Sequence, residues 1–426
     1  MKISKSFFNI LLLLILSPVS AAPWFDKSDR TVMDSLDLLV ASQLITTNLH
    51  QERIFIAPVS EQLFTLQKQV LSEEEQRAVD RLLNAIRYVE GNYNHYFSAG
   101  YTNSNSIWVA GQQSQFARYS AKLGTEWYQG NFAVGLFAQR FENTLTENYS
   151  SQHFAGSYLA YAFPKLSISI AQENLHAGPA ASGLLSSNRF YTPPITLQLS
   201  NGRQPLHNAF INHGWDLTLG HFDKHGLGQL QFVKAASHHV LNFSSQISAE
   251  LAQVKTQNIM QNWQNNKATY VNFTFTHAIN TNKQVYSRLD YQTTNAALAL
   301  TAGFKQSLSI FDGSLSGFIE TRLFQADYLD WQFLGHTSDA QYLKSDNSVG
   351  LNWFESTGAA IKWHVSFQRW DIPFSEATNS VQSVVTSSIP LFSGLLSASL
   401  KWQNKLPVAV DGHSALDAAF NWQVRF

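Results

Sequence analysis

Alternating apolar and polar residues dominate the chain from about residue 98 to its end. The last residues show the pattern most clearly, because apolar side chains occupy every second position: Leu416, Ala418, Phe420, Trp422, Val424 and Phe426. The residues between them are polar, apart from Ala419. A period of two predicts a β-strand with one apolar face and one polar face.

Charged residues in these predicted strands keep to one face. In the segment QFARYSAKLGTEWYQ, Tyr119 and Leu123 fall on one face, whereas Lys122 and Glu126 fall on the other. This distribution fits a barrel with a polar lumen and a lipid-facing exterior. A soluble β-sandwich would also alternate, but it would not usually need strands over the whole of 98–426. The sequence has no repeat of fixed length, which argues against a propeller.

The segment before the strands has a helical period instead. In SDRTVMDSLDLLVASQLI, behind the capping candidates Ser28 and Asp29, the apolar residues form one stripe: Val32, Leu36, Leu39, Val40 and Leu44. A break is predicted at FIAPVS, and a short helix is predicted in SEQLFTLQKQV.

A further helix is predicted in SEEEQRAVDRLLNAIRYVEG. Ser72 and Glu75 have the spacing of a capping box, and Gly91 is a suitable stop. The apolar stripe of this helix consists of Val79, Leu82, Ile86 and Val89. Such helices must bury their stripes, either in a small bundle of their own or in a bundle tucked under a barrel.

Residues 1–21 have the order of a secretory signal peptide. Lys2 and Lys5 precede an apolar run that is too short to span a bilayer as a helix, and small residues follow it. Cleavage is predicted after Ala21; the alternative is an uncleaved anchor. The expected domains are then a periplasmic helical bundle at 22–97 and an outer-membrane barrel at 98–426.

The composition agrees with a membrane barrel. Charged residues form 14% of the chain, below the usual quarter, whereas aromatic residues reach 13%. The absence of cysteine is compatible with an oxidising compartment. With 29 basic and 30 acidic residues, the chain has no general attraction to nucleic acid, so no nucleic-acid partner is expected.

The predicted connections orient the barrel, because outer-membrane barrels keep short turns on the periplasmic side. Short turns are predicted near 129–131, 163–165, 223–226, 279–283, 311–313 and 356–358. Longer external segments are predicted at 141–152, 172–207, 236–265, 326–345, 371–377 and 404–412. About 16 strands can be counted, and 236–265 is long enough to hold two more. Both termini are then expected in the periplasm.

The segment 172–207 resembles a known family. Its hallmark residues, in order, are Gly178–Pro179, Ser182, Leu184, Leu185, Ser186, Asn188, Arg189 and Pro193–Pro194. This order resembles the Wzi-type capsule assembly family, as do the Leu-rich first helix ending in SQLITT and the Pro-containing segment after it. The family tends to place an aromatic residue before its Gly-Pro step, whereas this chain has His176–Ala177, where His176 can donate a hydrogen bond instead.

The resemblance implies an all-β transmembrane barrel of about 18 antiparallel strands (16–18), plugged at its periplasmic end by the N-terminal α-helical bundle. It also implies a surface lectin that binds and organises capsular or extracellular polysaccharide. The candidate polysaccharide-binding residues are His176, Asn188, Arg189, Tyr191, Arg203 and Trp331, with Tyr328 and His336 in the same external segments. Arg189 is the first choice, because a guanidinium fork suits the carboxylate of an acidic sugar.

Catalytic interpretations find little support. The sequence has no Gly-x-Ser-x-Gly elbow, His-Glu-x-x-His helix or phosphate-binding glycine loop. The pair His238–His239 invites a metal-binding interpretation, but neighbouring strand residues point to opposite faces, so a loop pair is predicted. We therefore expect no catalytic residue, no cofactor and no metal.

The main alternative function is an outer-membrane porin or oligosaccharide channel gated by the helical bundle. Such a channel needs an open bore lined by opposed charges. With either function, the expected partners are outer-membrane lipid and, during assembly, the barrel-insertion machinery that would read the aromatic C-terminus. The protein is expected to be a monomer.

Overall fold

The structure is a computed structural model. It describes residues 24–25, 30–51, 53–90, 93–102, 117–129, 132–144, 152–163, 166–172, 193–201, 212–224, 228–242, 244–257, 267–310, 313–325, 328, 343–355, 358–370, 378–391, 394–404 and 416–425. The predicted signal peptide, residues 1–21, and Phe426 lie outside this part of the chain.

The described helices all precede the strands. They are α1 (Arg30–Ala41), α2 (Ile56–Leu66) and α3 (Glu73–Glu90). Within the described residues, no helix is both long enough and apolar enough to cross a membrane. The predicted helical period of the N-terminal segment is confirmed.

Strands make up the rest of the described chain. They are β1 (Tyr93–Thr102), β2 (Ala117–Gln129), β3 (Phe132–Thr144), β4 (Gln152–His153), β5 (Tyr158–Ala162), β6 (Ser167–Gln172), β7 (Ile195–Ser200), β8 (Asn212–Lys224), β9 (Gly228–Asn242), β10 (Ser245–Gln257), β11 (Lys267–Asn280), β12 (Lys283–Gln292), β13 (Ala297–Ile310), β14 (Gly313–Phe324), β15 (Leu343–Glu355), β16 (Ala360–Trp370), β17 (Thr378–Leu391), β18 (Gly394–Gln403) and β19 (Leu416–Arg425).

These strands close into one antiparallel barrel. Strands β4 and β5 both pair with β3 and are separated only by a bend, so together they occupy one strand position in the barrel. The 19 described strands therefore form an 18-stranded barrel. The C-terminal strand β19 pairs with β18 and also with β1, which leaves no open edge there. The predicted count of 16–18 strands is confirmed at its upper limit.

The barrel is apolar outside and polar inside. Leu123, Leu136 and Phe420 point outward and are 60%, 62% and 50% exposed. Alternate residues face inward and are polar, as on β7, where Thr196 and Gln198 are both buried. The outward face therefore has the composition that a lipid bilayer would cover.

The sequence interpretation of the two longest segments was wrong. Residues 172–207 do not form one loop, because β7 crosses the barrel within them and pairs with β6 and β8. Residues 236–265 are not one external segment either, because they contain the end of β9, a short connection and all of β10, an additional strand for which the segment was long enough. Each segment therefore conceals one strand.

Because these strands were missed, one connection was assigned to the wrong end of the barrel. The connection between β8 and β9, at 225–227, lies at the opposite end of the barrel from the turns at 281–282 and 311–312, whereas the prediction placed it with them. The first strand begins at Tyr93 and so takes in residues assigned to the helical domain, whose predicted boundary is at residue 97.

The helical segment has its own apolar core and lies against the inner wall of the barrel. Its core is formed by buried side chains from all three helices, including Leu36, Leu63 and Leu82. Its surface is attached to the wall by polar contacts: the backbone N of Leu49 donates to Gln246 (3.0 Å), and Arg77 donates to the carbonyl of Gly313 (3.0 Å). We call the end of the barrel with the short connections 243–244, 281–282 and 311–312 the helix end, and the opposite end the loop end.

Two local features of the helices follow from terminal hydrogen bonding. Helix α2 begins at Ile56, inside FIAPVS, where the sequence pattern predicted a break. Pro58 is tolerated because the first turn of a helix does not use its N–H groups. The predicted capping box of α3 is confirmed, since Glu75 accepts from the backbone N of Ser72 at 2.9 Å and Ser72 accepts from the backbone N of Glu75 at 3.4 Å.

Candidate functional site

The predicted polysaccharide-binding residues fall outside the described part of the chain. They are His176, Asn188, Arg189 and Tyr191 in 173–192, Arg203 in 202–211 and Trp331 in 329–342, which also holds His336. These residues therefore stay predictions.

The strands nevertheless fix where these segments leave the barrel. Residues 173–192 connect β6 to β7 at the loop end, whereas residues 202–211 connect β7 to β8 at the helix end. The single external segment in which Arg203 was grouped with Arg189 is thus divided by β7. The connection between β14 and β15 also leaves from the loop end.

The base of the 173–192 connection is braced by a neighbouring bend. The side-chain amide of Gln172 donates to the carbonyl of Pro193 (3.3 Å), which joins the two strands where the connection begins and ends. Gln172 also exchanges backbone hydrogen bonds with Gly156 and Ser157 of the bend between β4 and β5. Gly156 has φ +93°, a left-handed conformation that favours glycine. The strand ends at this corner of the loop end are therefore connected to each other and to the bend by hydrogen bonds.

Tyr328 is the one candidate from the external segments that the structure describes. Its side chain is buried, and its ring packs against those of Tyr270 and Phe324 at centroid distances of 6.4 and 6.1 Å. The ring thus covers the inner wall beside β11 and β14. This is a packing role, and it does not present an aromatic face for a sugar.

Below the loop end, the inner wall carries a first cluster of paired charges on β9 to β12. Arg288 donates from Nε to both carboxylate oxygens of Asp290, at 2.8 and 3.0 Å. Glu250 accepts from Asn272 at 2.8 Å and lies 3.3 Å from the ammonium of Lys234. These side chains are at most 12% exposed, so each charge is neutralised by a neighbour rather than by water.

A second cluster lies on β12 and β14 to β16. Arg322 pairs with Glu320 on the same strand and lies 3.9 Å from Asp346. The hydroxyl of Tyr286 donates to Glu320 at 2.6 Å, and the hydroxyl of Ser366 donates to Asp346 at 2.6 Å. Arg322 and Glu320 are only 2% and 1% exposed. The charges of these two clusters are therefore paired and shielded, unlike charges that line a water-filled constriction.

A third set of contacts attaches the helical segment. Lys305 on β13 pairs with Asp34 and with Asp37 of α1, the latter at 2.7 Å. On the other side of the lumen, Arg53 donates to Ser169 on β6 and to Thr196 on β7, while its guanidinium stacks 4.3 Å from the ring of Trp24. The helical segment is thus held by charged contacts to strands on two sides of the barrel.

Sequence reasoning did not single out these inner-wall charges. A usable signal existed, because Glu320 and Arg322, like Arg288 and Asp290, are two residues apart and must share a strand face. The sequence does not show which strands are neighbours, and Asp346 lies near Arg322 only because β14 pairs with β15.

The histidine pair was also misjudged. His238 and His239 lie in β9, not in a loop. His238 faces inward and contacts Asp216 at 2.7 Å, whereas His239 faces outward beside His213 of β8. The expectation that strand neighbours point to opposite faces holds, but each ring finds a partner on an adjacent strand.

Comparison with known proteins places the fold. No family model matches the chain, and no curated protein matches it by sequence. Among solved structures it is similar to Wzi of Escherichia coli, described as an outer-membrane carbohydrate-binding β-barrel involved in group 1 capsule assembly. That match has a TM-score of 0.75 and 10% identity and covers 96% of this chain and 99% of Wzi.

Weaker similarities extend to other barrels. OccD3 of Pseudomonas aeruginosa matches with a TM-score of 0.49 and 9% identity, over 79% of this chain and 91% of its own. OccAB3 of Acinetobacter baumannii matches with a TM-score of 0.48 and 10% identity, over 78% and 98%. The chain therefore has the fold of Wzi, as its sequence motifs predicted.

Proposed function

We propose that this protein is an outer-membrane barrel that binds capsular or extracellular polysaccharide at its surface and organises it there. The observation that carries the proposal is the extent of the similarity to Wzi, which covers 96% of this chain and so takes in the helical segment as well as the barrel. Wzi is described as carbohydrate-binding, and the loop motif around Arg189 resembles its family independently of the fold.

The apolar exterior supports the location. Large exposed side chains such as Leu136, Phe273 and Ile319 project from strands around the barrel, and water would not favour so large an apolar surface. The loop end then faces outward from the cell and the helix end faces the periplasm, so that the short connections at 243–244, 281–282 and 311–312 lie on the periplasmic side. This orientation is part of the proposal.

The inner wall supports a binding rather than a conducting role. The helical segment is attached to strands on two sides of the lumen, where it would plug the barrel. The charges of the two described clusters are engaged with one another, as in the pair of Arg322 with Glu320. A gated channel is the second candidate, because its lumen would also be polar. Planar-bilayer conductance of the intact protein separates the two, since the binding function predicts no large steady conductance.

Arg189 is the residue we propose to test first. A charged hydrogen bond contributes about 1.5–3 kcal/mol, which corresponds to a roughly 10- to 100-fold change in affinity at one site. A polymer that touches many copies of the protein multiplies such a loss. Arg189→Ala should therefore release polysaccharide from cells into the medium while the barrel still assembles.

Two further variants control this experiment. Arg189→Lys keeps the charge but loses the bidentate fork, so it should restore binding only in part. Arg369→Ala removes an exposed arginine from β16 at the loop end of the barrel wall and should leave cell-attached polysaccharide unchanged. If Arg189→Ala retains polysaccharide as the wild type does, and Asn188→Ala and Tyr191→Ala do too, the 173–192 connection is not the binding site.

A further inference from the structure

Two histidines meet on the outer face of the barrel at the helix end. His213 is the second residue of β8 and is directly paired with His239 of β9. Both face outward, since Leu219 and Val233, which have the same parity on these strands, are 41% and 45% exposed. His213 is itself exposed. Because β8 begins and β9 ends here, the pair lies near the rim, where the apolar band gives way to polar surroundings.

The geometry of the two rings suits a shared metal ion. Their Nδ1 atoms are 3.4 Å apart, and the ring centroids are 4.6 Å apart. Zinc binds imidazole nitrogen at about 2.0–2.1 Å, and at a tetrahedral angle two such nitrogens are separated by about 3.3–3.4 Å. The same distance is long for a hydrogen bond between the rings, for which about 2.7–3.2 Å is usual. The observed separation therefore matches one edge of a tetrahedral metal site.

A third side chain contacts one of the two rings. The hydroxyl of Ser237, two residues before His239 on the same face, lies 3.0 Å from its Nε2. If the hydroxyl accepts from Nε2–H, the lone pair of the ring is placed on Nδ1, the atom that faces His213. Metal-binding histidines commonly hold their second nitrogen in this way.

We propose that His213 and His239 form a binding site for a divalent transition metal, Zn²⁺ or Cu²⁺, on the outer rim of the helix end. Imidazole suits both ions. The described residues contain no group of three or more His, Cys, Asp or Glu side chains that could hold a metal, so within the described part of the chain this site has two protein ligands, and water or a small anion can fill further positions. The proposal does not depend on polysaccharide binding, because it concerns the opposite end of the barrel.

The test is metal binding by the full-length protein in detergent. Isothermal titration with Zn²⁺ measures affinity, and electron paramagnetic resonance of a Cu²⁺–iminodiacetate adduct reports the nitrogen ligands. Iminodiacetate is tridentate and leaves Cu²⁺ with open positions for a pair of imidazoles, so isolated histidines elsewhere in the chain compete poorly. The wild type should show one saturable site with nitrogen coordination.

Variants assign the site to these residues. His213→Ala and His239→Ala should each weaken binding about 100-fold, because a chelate becomes a single ligand. Ser237→Ala should weaken it about tenfold through loss of ring orientation. His221→Ala is the matched control: it removes an exposed histidine on the same face of β8 whose partner is Gln231 rather than histidine, and binding should not change.

All variants should run as heat-modifiable barrels, because the substituted side chains lie on the outer face. The proposal is overturned if His213→Ala and His239→Ala both bind with wild-type affinity, or if His221→Ala loses the site as they do.

Discussion

Replacing Lys305 with an uncharged residue should make helix α1 detach from the barrel wall more often. The side chain of Lys305 is 10% exposed and lies between Asp34 and Asp37, which are 10% and 22% exposed. Lys305→Met would remove the ammonium that lies between these two carboxylates. Removing one partner of a buried ion pair costs about 3–5 kcal/mol, and the partial exposure of Asp37 favours the lower limit, about 3 kcal/mol. Detachment of α1 from the wall should then become roughly 100-fold more frequent.

Hydrogen exchange of the purified protein, followed by mass spectrometry, measures this opening. Amides of α1 should exchange roughly 100-fold faster in Lys305→Met, whereas peptides from β16 to β18 should exchange as in the wild type. The control is the triple variant with Asp34→Asn and Asp37→Asn added, which removes all three charges and should restore most of the protection. The reasoning fails if α1 exchanges at the wild-type rate in Lys305→Met, or if the triple variant exchanges as fast as the single one.

Two further predictions concern the exterior of the barrel and the start of α3. Phe420→Asp should reduce the amount of heat-modifiable protein in the outer membrane, because a charge on the lipid-facing side costs up to a few kcal/mol. Asn421→Asp, on the inward side of the same strand, is the control and should assemble normally. Equal behaviour of the two variants would refute the assignment of faces. Although burial alone would raise it, hydrogen bonds from Ser72 lower the pKa of Glu75 below its ordinary value of 4.5. This capping interaction therefore stabilises α3 above about pH 4.5 and is lost as the pH falls through the lowered value. Hydrogen exchange of the first turn should show this pH dependence in the wild type and a smaller one in Ser72→Ala, which loses the hydroxyl donor but keeps the backbone hydrogen bond to Glu75.

The barrel was predictable because two solvents act on its strands. An apolar exterior and a polar lumen impose a period of two on every strand. In the structure, Tyr119 and Leu123 are on the outward face and Lys122 is on the inward face, as predicted. The capping box of α3 was predictable for a local reason, since Ser72 and Glu75 satisfy each other's backbone groups within one turn.

The two missed strands show the alternating pattern incompletely, one because it is short and the other because its outward face is partly polar. Strand β7 alternates well, but it has only six residues and lies beside Pro193–Pro194, so it looked like part of a loop. Strand β10 is long, but its outward face contains Gln253 and Lys255, while Val254 faces inward and is buried. One strand was missed before the 225–227 turn and one after it, so the errors offset each other and the later turns were placed at the correct end.

The contacts of the lumen could not be obtained from the sequence. The pairing of Lys305 with Asp34 joins residues far apart in the chain and depends on where α1 lies inside the closed barrel. The pairing of His213 with His239 depends on the register of β8 and β9, which the sequence alone does not give. The loop motif around Arg189 was accessible for the opposite reason, because it is continuous in the sequence.

Binding of the purified, full-length protein to polysaccharide from the cells that make it tests the central proposal most directly. Biolayer interferometry with immobilised polysaccharide should show saturable binding by the wild type and weaker binding by Arg189→Ala, with both proteins running as heat-modifiable barrels. The account is contradicted if the folded wild-type protein does not bind this polysaccharide, or if Arg189→Ala binds it as tightly as the wild type.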